Sequence, residues 1–379
     1  MQDVQKVYIP VSQPFIGREE TENVAKAMSE KAISGFFGEY LNKFEEKFAG
    51  YIGNKYAVSC SSGTTAIHLA LASLALNPGD EVLIATLTNM ATFFPALNLG
   101  LKPIPVDIEP DTLNINPDLV EKLIGAKTKA IIVVHLFGHP VNMEPVLQIA
   151  AKYNLFVIED CAQAHGATYK GKKVGSLGDI GCFSFYANKI ITTGEGGMIT
   201  TNNEDIYIKA RSLKSLAFGT KNKFMHSDIG YNFRMTNVQA AIGYAQMDKI
   251  DYIIEQKRMI AKFYNKKLEA YPDLQLPVEK YYAKNVYWMY HLVLQGRLKD
   301  KRDYITKSLS SAGIETREGF IPYNMQTIFQ EKGLVKFNDC PIANSTAYSS
   351  FYLPSSPDLT YEQLEYVSEN LINVISSLV

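Results

Sequence analysis

An α/β fold is predicted, with a mostly parallel sheet in a large domain and a smaller α/β domain at the C-terminal end. Three observations predict it. Short β-rich runs alternate with helix-length segments over the first half of the chain, the pattern of βαβ units. One of these runs, residues 154–160, is apolar until it ends in two acids, as a buried parallel strand with carboxylates at its C-terminal end would be. The third is size: 379 residues at 46% hydrophobic content can bury one large core and a second, smaller one.

Taken in order, residues 38–52 place Leu41, Phe44, Phe48 and Tyr51 at helical spacing, an amphipathic helix. Residues 56–60 read as a short strand that runs into the small-residue turn Ser61-Ser62-Gly63-Thr64-Thr65 and then into a helical pattern. Residues 80–85, 103–107, 130–135 and 155–159 are further strands, with Asn77-Pro-Gly-Asp80 and 100–103 as turns between units. A long helical pattern covers residues 236 to about 268, and mixed strand and helix follow to the end. The large domain is therefore placed at 1–250, N-terminal segment included, and the small domain at 251–379. No internal repeat or low-complexity tract is present.

Composition excludes several classes. A net charge of −1 and a pI near 6.6 leave no basic footprint for nucleic acid. Cys60, Cys161, Cys182 and Cys340 are scattered without a CxxC pair, and the six histidines lack metal spacing, so neither a disulfide framework nor a metal site is expected. Residues 1–6 lack a signal-peptide pattern, and no apolar stretch reaches the roughly 18 to 20 residues of a membrane span. A cytoplasmic protein without membrane contact is expected. Walker and dinucleotide glycine motifs are absent; Gly194, Gly196 and Gly197 lack the spacing.

Three segments carry chemistry. Lys189 lies between short apolar runs, ahead of a glycine cluster; held against apolar groups, an ammonium is poorly solvated, its pKa falls, and the free amine can attack a carbonyl to give a Schiff base. A buried strand-end lysine in a structural ion pair is the plain alternative. Asp160 ends the buried run at the sheet edge where α/β proteins bind ligands, and a protonated pyridine nitrogen would offset its desolvation; a helix-capping Asp is the alternative. Ser62, Gly63 and Thr64 present N–H groups and hydroxyls at a helix start, suited to a phosphate or simply to an N-cap. Lysine, aspartate and phosphate cradle together point to pyridoxal 5'-phosphate (PLP).

With these segments in place the chain resembles the DegT/DnrJ/EryC1/StrS family of PLP-dependent sugar aminotransferases, of fold type I, from about Ile9 to its C-terminus. Further markers are His135-Leu-Phe-Gly-His-Pro140, Glu159-Asp-Cys-Ala-Gln-Ala-His-Gly166, Phe183-Ser184-Phe185, Thr192-Thr-Gly-Glu-Gly-Gly197 and Gly230-Tyr-Asn-Phe-Arg-Met-Thr236. The resemblance implies that Lys189 anchors PLP covalently and moves protons. It implies that Asp160 pairs with the ring nitrogen, Gln163 sits by the ring hydroxyl, and Thr64, Ser184 and the Gly63 backbone hold the phosphate. Asn232 would reach the phosphate of a neighbouring subunit in a homodimer, and Arg234, Arg317 and Asn324 would bind substrate. L-glutamate as donor and a nucleotide-linked 4-keto-6-deoxy sugar as acceptor are implied. A GDP-linked, mannose-derived sugar leading to perosamine for a surface polysaccharide comes first, and UDP- or dTDP-linked 4-keto or 3-keto sugars are the alternative. Two departures stand out: Asn89 occupies the place where relatives carry an aromatic that stacks on the ring, so it would give the cofactor a hydrogen bond or a thinner cover unless Phe93 or Phe94 substitutes, and Asn324 stands where His is common. Lys189 in place of histidine argues against a sugar dehydratase. A non-catalytic regulator or binding module on the same fold is the alternative from another class, against which the retained Lys189 and Asp160 stand.

Overall fold

A computed structural model describes residues 8–219, 221–226 and 228–378; residues 1–6, read above for a leader, lie outside them. Seven strands form the central sheet in the order β1 (Tyr56–Cys60), β9 (Gly197–Thr201), β8 (Ile180–Ser184), β5 (Phe156–Asp160), β4 (Thr128–Val134), β2 (Glu81–Ala85) and β3 (Lys102–Val106). Only β9 runs against the rest, pairing antiparallel with both β1 and β8. All five interior strands are buried along most of their length, and successive residues feed opposite cores. Ile132 and Ile158 pack on one side with Val82 and Ile199, while Ile131, Val133 and Val157 pack on the other, the two-residue period of a covered sheet.

Register brings the chemical residues to one edge. Val134 pairs with Asp160 and Asp160 with Cys182, while Gly197 pairs with both Cys60 and Ser184. The C-terminal ends of β1, β5 and β8 therefore share one rim, from which α3 (Gly63–Ser73) departs. Helices α1 (Arg18–Ser29) and α2 (Tyr40–Ile52) precede the sheet; Phe44 and Phe48 of α2 are fully buried against Phe183 and Phe185.

A second sheet, β10 (Leu274–Gln275), β12 (Tyr290–Leu294), β14 (Ser350–Leu353) and β13 (Arg317–Glu318), is antiparallel throughout. Its core includes Leu292, Phe351, Leu309 and Leu371. A small sheet of β6 (Thr168–Tyr169), β7 (Lys172–Lys173) and β11 (Ala283–Lys284) joins sequence from both halves.

Packing crosses the expected domain boundary at both ends, and one expected helix is corrected. Ile9, placed with the large domain, bridges Ile314, its N–H donates to Gly313 O at 2.8 Å and its carbonyl accepts from Glu315 N, and its side chain packs in the C-terminal core. Conversely, Tyr323, Phe329 and Val335 pack beneath the central sheet beside Phe93, so chain order and packing part company beyond residue 251. The helical pattern from 236 to 268 is two helices, Asn237–Gln246 and Ile250–Leu268. Buried Glu20 of α1 explains the break, because it accepts from Gln246 Nε2 at 2.7 Å and Lys249 Nζ at 2.7 and 2.9 Å. Those interactions outweigh the intrinsic continuity of the pattern.

Candidate active site

The end of β5 separates two buried carboxylates by side-chain alternation. Glu159 accepts from the N–H groups of Gly175, Leu177 and Gly178 at 2.7–2.8 Å and lies 3.0 Å from His135 Nε2. Val141 N–H donates to His135 Nδ1, so Nε2 carries the ring proton toward Glu159. Every acceptor direction on this side is used. His135, Glu159 and Cys161 approach one another closely enough to suggest a metal site, yet the carboxylate is already saturated by backbone donors.

Asp160, on the other face, accepts from Thr92 Oγ1 at 2.9 Å and from Ala162 N at 3.1 Å, and lines an open cavity of about 420 Å³. Burial raises its pKa, opposed by those two hydrogen bonds and by the Lys189 ammonium. A cationic partner in the cavity would favour the charged form.

Across the cavity, Ser62 caps α3 by accepting from Thr65 N at 3.1 Å, and Thr65 Oγ1 returns the bond from Ser62 N. The cap engages Ser62 Oγ, so this residue shapes the turn while its neighbours face the cavity. Gly63 N–H, Thr64 N–H and the Thr64 hydroxyl have no partner among the described residues. Ser184 Oγ stands beside them, and a Cβ on Gly63 would come within 2.6 Å of Ser184 Cβ. Glycine is needed for that approach. Two open amides, two hydroxyls and a helix start make an anion cradle.

Gln163 Oε1 accepts from Phe137 N at 2.8 Å, which turns its amide nitrogen to the cavity as a donor. Lys189 closes the site, with Nζ 3.9 Å from the centre of the Trp288 ring. Burial lowers its pKa to about 8, against the pull of Asp160. At pH 7 about a tenth of such a group is free amine, compared with well under a thousandth of an ordinary lysine.

Ser62, Gly63, Thr64, Asn89, Asp160, Gln163, Ser184, Lys189 and Arg317 thus meet around one cavity. Three sequence candidates do not. Asn324 is corrected: it is fully buried, accepting from Thr86 Oγ1 at 2.7 Å and donating to Phe337 O and Asn344 Oδ1, so no hydrogen-bonding group remains for a substrate. Asn232 is exposed and Arg234 lies against Phe36, neither lining the cavity of its own chain. Nor do Phe93 or Phe94 replace the missing aromatic: Phe93 stacks on Tyr323 with centroids 4.1 Å apart inside the core, and Phe94 packs toward Phe329. Asn89 sits at the rim, its Oδ1 capping the turn Met90–Thr92. Sequence reasoning missed Thr92 and Trp288. Thr92 had a faint signal, a hydroxyl one helical turn after Thr88; Trp288 had none beyond being the single tryptophan.

An anion cradle, a ring-sized cavity, a buried carboxylate, an amide donor and a depressed lysine fit PLP, and define the class: a PLP-dependent aminotransferase of fold type I. The chain belongs to the DegT/DnrJ/EryC1/StrS aminotransferase family, whose model matches residues 14–372. It is 41% identical to a GDP-perosamine synthase of Escherichia coli over 96% of this chain and 98% of the relative. A GDP-perosamine synthase of Caulobacter vibrioides is 39% identical, over 97% and 98%. Among solved structures, an aminotransferase from Psychrobacter cryohalolentis superposes with a TM-score of 0.91 at 31% identity, covering 97% of this chain and 100% of that one.

Proposed function

We propose that this enzyme moves an amino group from L-glutamate to the keto carbon of a GDP-linked 4-keto-6-deoxyhexose, the step that forms perosamine for a surface polysaccharide. Near-full-length kinship with GDP-perosamine synthases carries the reading. Arg317 at the cavity mouth supplies a cation for an anionic substrate.

Gly63, Thr64 and Ser184 would hold the cofactor phosphate, Asp160 would pair with its ring nitrogen, and Gln163 would donate to its ring oxygen. Bound there, PLP supplies a carbonyl that accepts and passes on the amino group and a ring that takes up electrons. Lys189 Nζ is the base beside the reacting carbons, placed to take the α-proton of glutamate and, in the second half, to return a proton to the sugar carbon. An amine near neutrality suits both directions. Burial disfavours the charged form of Asp160 and a cationic partner favours it, so loading of the site strengthens its charge. Cytoplasmic placement goes with nucleotide-sugar substrates.

Assembly as a two-fold dimer completes the site. Phe36, Phe37, Phe224, Met225 and Ile229 are 53–84% exposed, an apolar surface near Asn232 and Arg234 that calls for a partner. Asn232 then serves the neighbour's phosphate. Mixing Lys189→Ala with Asn232→Ala, each inactive alone, should restore activity at about a quarter of sites, because about half of the randomly reassociated dimers are mixed and each has one intact site. A verified exchange that stays inactive refutes sharing.

A screen of GDP-, UDP- and dTDP-linked 4-keto sugars with glutamate, read by mass and NMR of the product, tests the substrate. Product from the GDP sugar alone supports the proposal. Turnover confined to UDP or dTDP sugars refutes it, and no turnover with a bleached, PLP-free protein would favour a binding module.

A further inference from the structure

Trp288 is held in place from three directions before it reaches the cavity. Tyr287 takes φ +47°, a left-handed conformation uncommon for an aromatic residue, which redirects the chain just ahead of it. Gly138 crosses so closely that a Cβ there would lie 3.0 Å from Trp288 N. Buried Lys257 donates to the Trp288 carbonyl at 3.0 Å and to Ser355 O at 2.8 Å. A backbone fixed this firmly is poorly suited to mere space-filling.

Its side chain makes two directed contacts. The indole N–H donates to Asn188 O at 2.7 Å, the carbonyl immediately before Lys189, and the ring face meets Lys189 Nζ at 3.9 Å. We infer that Trp288 is the positioning residue of Lys189: its ring face holds the amine over the cavity and its N–H pins the loop that carries it. The inference rests on Lys189 being the working amine, but concerns the protein before any substrate binds.

Cofactor-stripped, full-length protein provides the test. Because the chain has one tryptophan, its emission reports this contact. Emission should titrate with the same midpoint as acylation of Lys189, followed by peptide mass spectrometry, and Lys189→Met should abolish the transition. Emission that titrates identically in Lys189→Met, or stays flat while Lys189 labelling titrates, overturns the inference. Trp288→Leu removes the ring that favours the ammonium, so the amine-to-ammonium ratio below the midpoint should rise at least about fivefold; a change within twofold, or in the opposite direction as entering water would produce, overturns the ring contact. Trp288→Phe keeps a ring but loses the N–H, and hydrogen exchange at residues 186–191 should quicken. Unaltered exchange overturns the pinning. These readouts do not depend on turnover, so they can fail while the aminotransferase reading stands.

Discussion

Glu159 and Asp160 are neighbours on one strand, both buried, and they do opposite work. Glu159 is enclosed by three backbone donors and His135, which ties the 175–178 turn beneath the sheet edge. Asp160 has two donors and a cavity. A buried charge normally demands full satisfaction. On that ground we assign the chemistry to the carboxylate still open to a partner, and the scaffold to the saturated one.

The open side should lose catalysis when altered. The largest effect is expected for Lys189→Ala, with turnover down at least roughly a thousandfold and an unchanged circular dichroism spectrum. Unfolding instead would move Lys189 to the scaffold. Asp160→Asn keeps shape and removes charge, so the glutamate half-reaction should slow on the order of a hundredfold with little change in melting; stopped-flow rates equal to wild type would end its assigned role. Glu159→Gln should reverse the pattern, losing on the order of 3 kcal/mol of stability in urea titration. Equal stability would collapse the distinction between the two acids.

Smaller effects sharpen the same contrast. Lys189 has a folded-state pKa near 8 against about 10.4 unfolded, so the native state binds fewer protons between those values and stability rises with pH across them. Below pH 8 the folded chain bears the full cost of burying the ammonium. Lys189→Met, in cofactor-free protein, should be more stable than wild type at pH 7, and denaturation curves should converge as pH climbs from 8 to 10.5. A difference independent of pH would assign it to packing. Smallest is Asn89→Phe, which should slow PLP loss on dialysis by about fivefold if stacking contributes about 1 kcal/mol.

Much of this was legible in sequence where the cause is local. Ser62-Gly63-Thr64, Asp160 and Lys189 each sit in a short motif whose strand, turn and helix are set by nearby residues, and the strands between 80 and 160 follow from their apolar runs. Long-range packing was not legible. Trp288 reaches Lys189 from a hundred residues away, Ile9 crosses to Ile314, and Glu20 breaks a helix more than two hundred residues downstream. Asn324 misled for the same reason: its loop has the outline of a substrate loop, but its amide is tied to Thr86, Phe337 and Asn344.

Borohydride reduction of the PLP-loaded protein, followed by proteolysis and mass spectrometry, decides whether Lys189 is the amine that anchors the cofactor. One phosphopyridoxyl-labelled peptide, containing Lys189, is predicted, with no labelled peptide from Lys189→Ala. A label on Lys257 or any other lysine, with Lys189 unmodified, would contradict it.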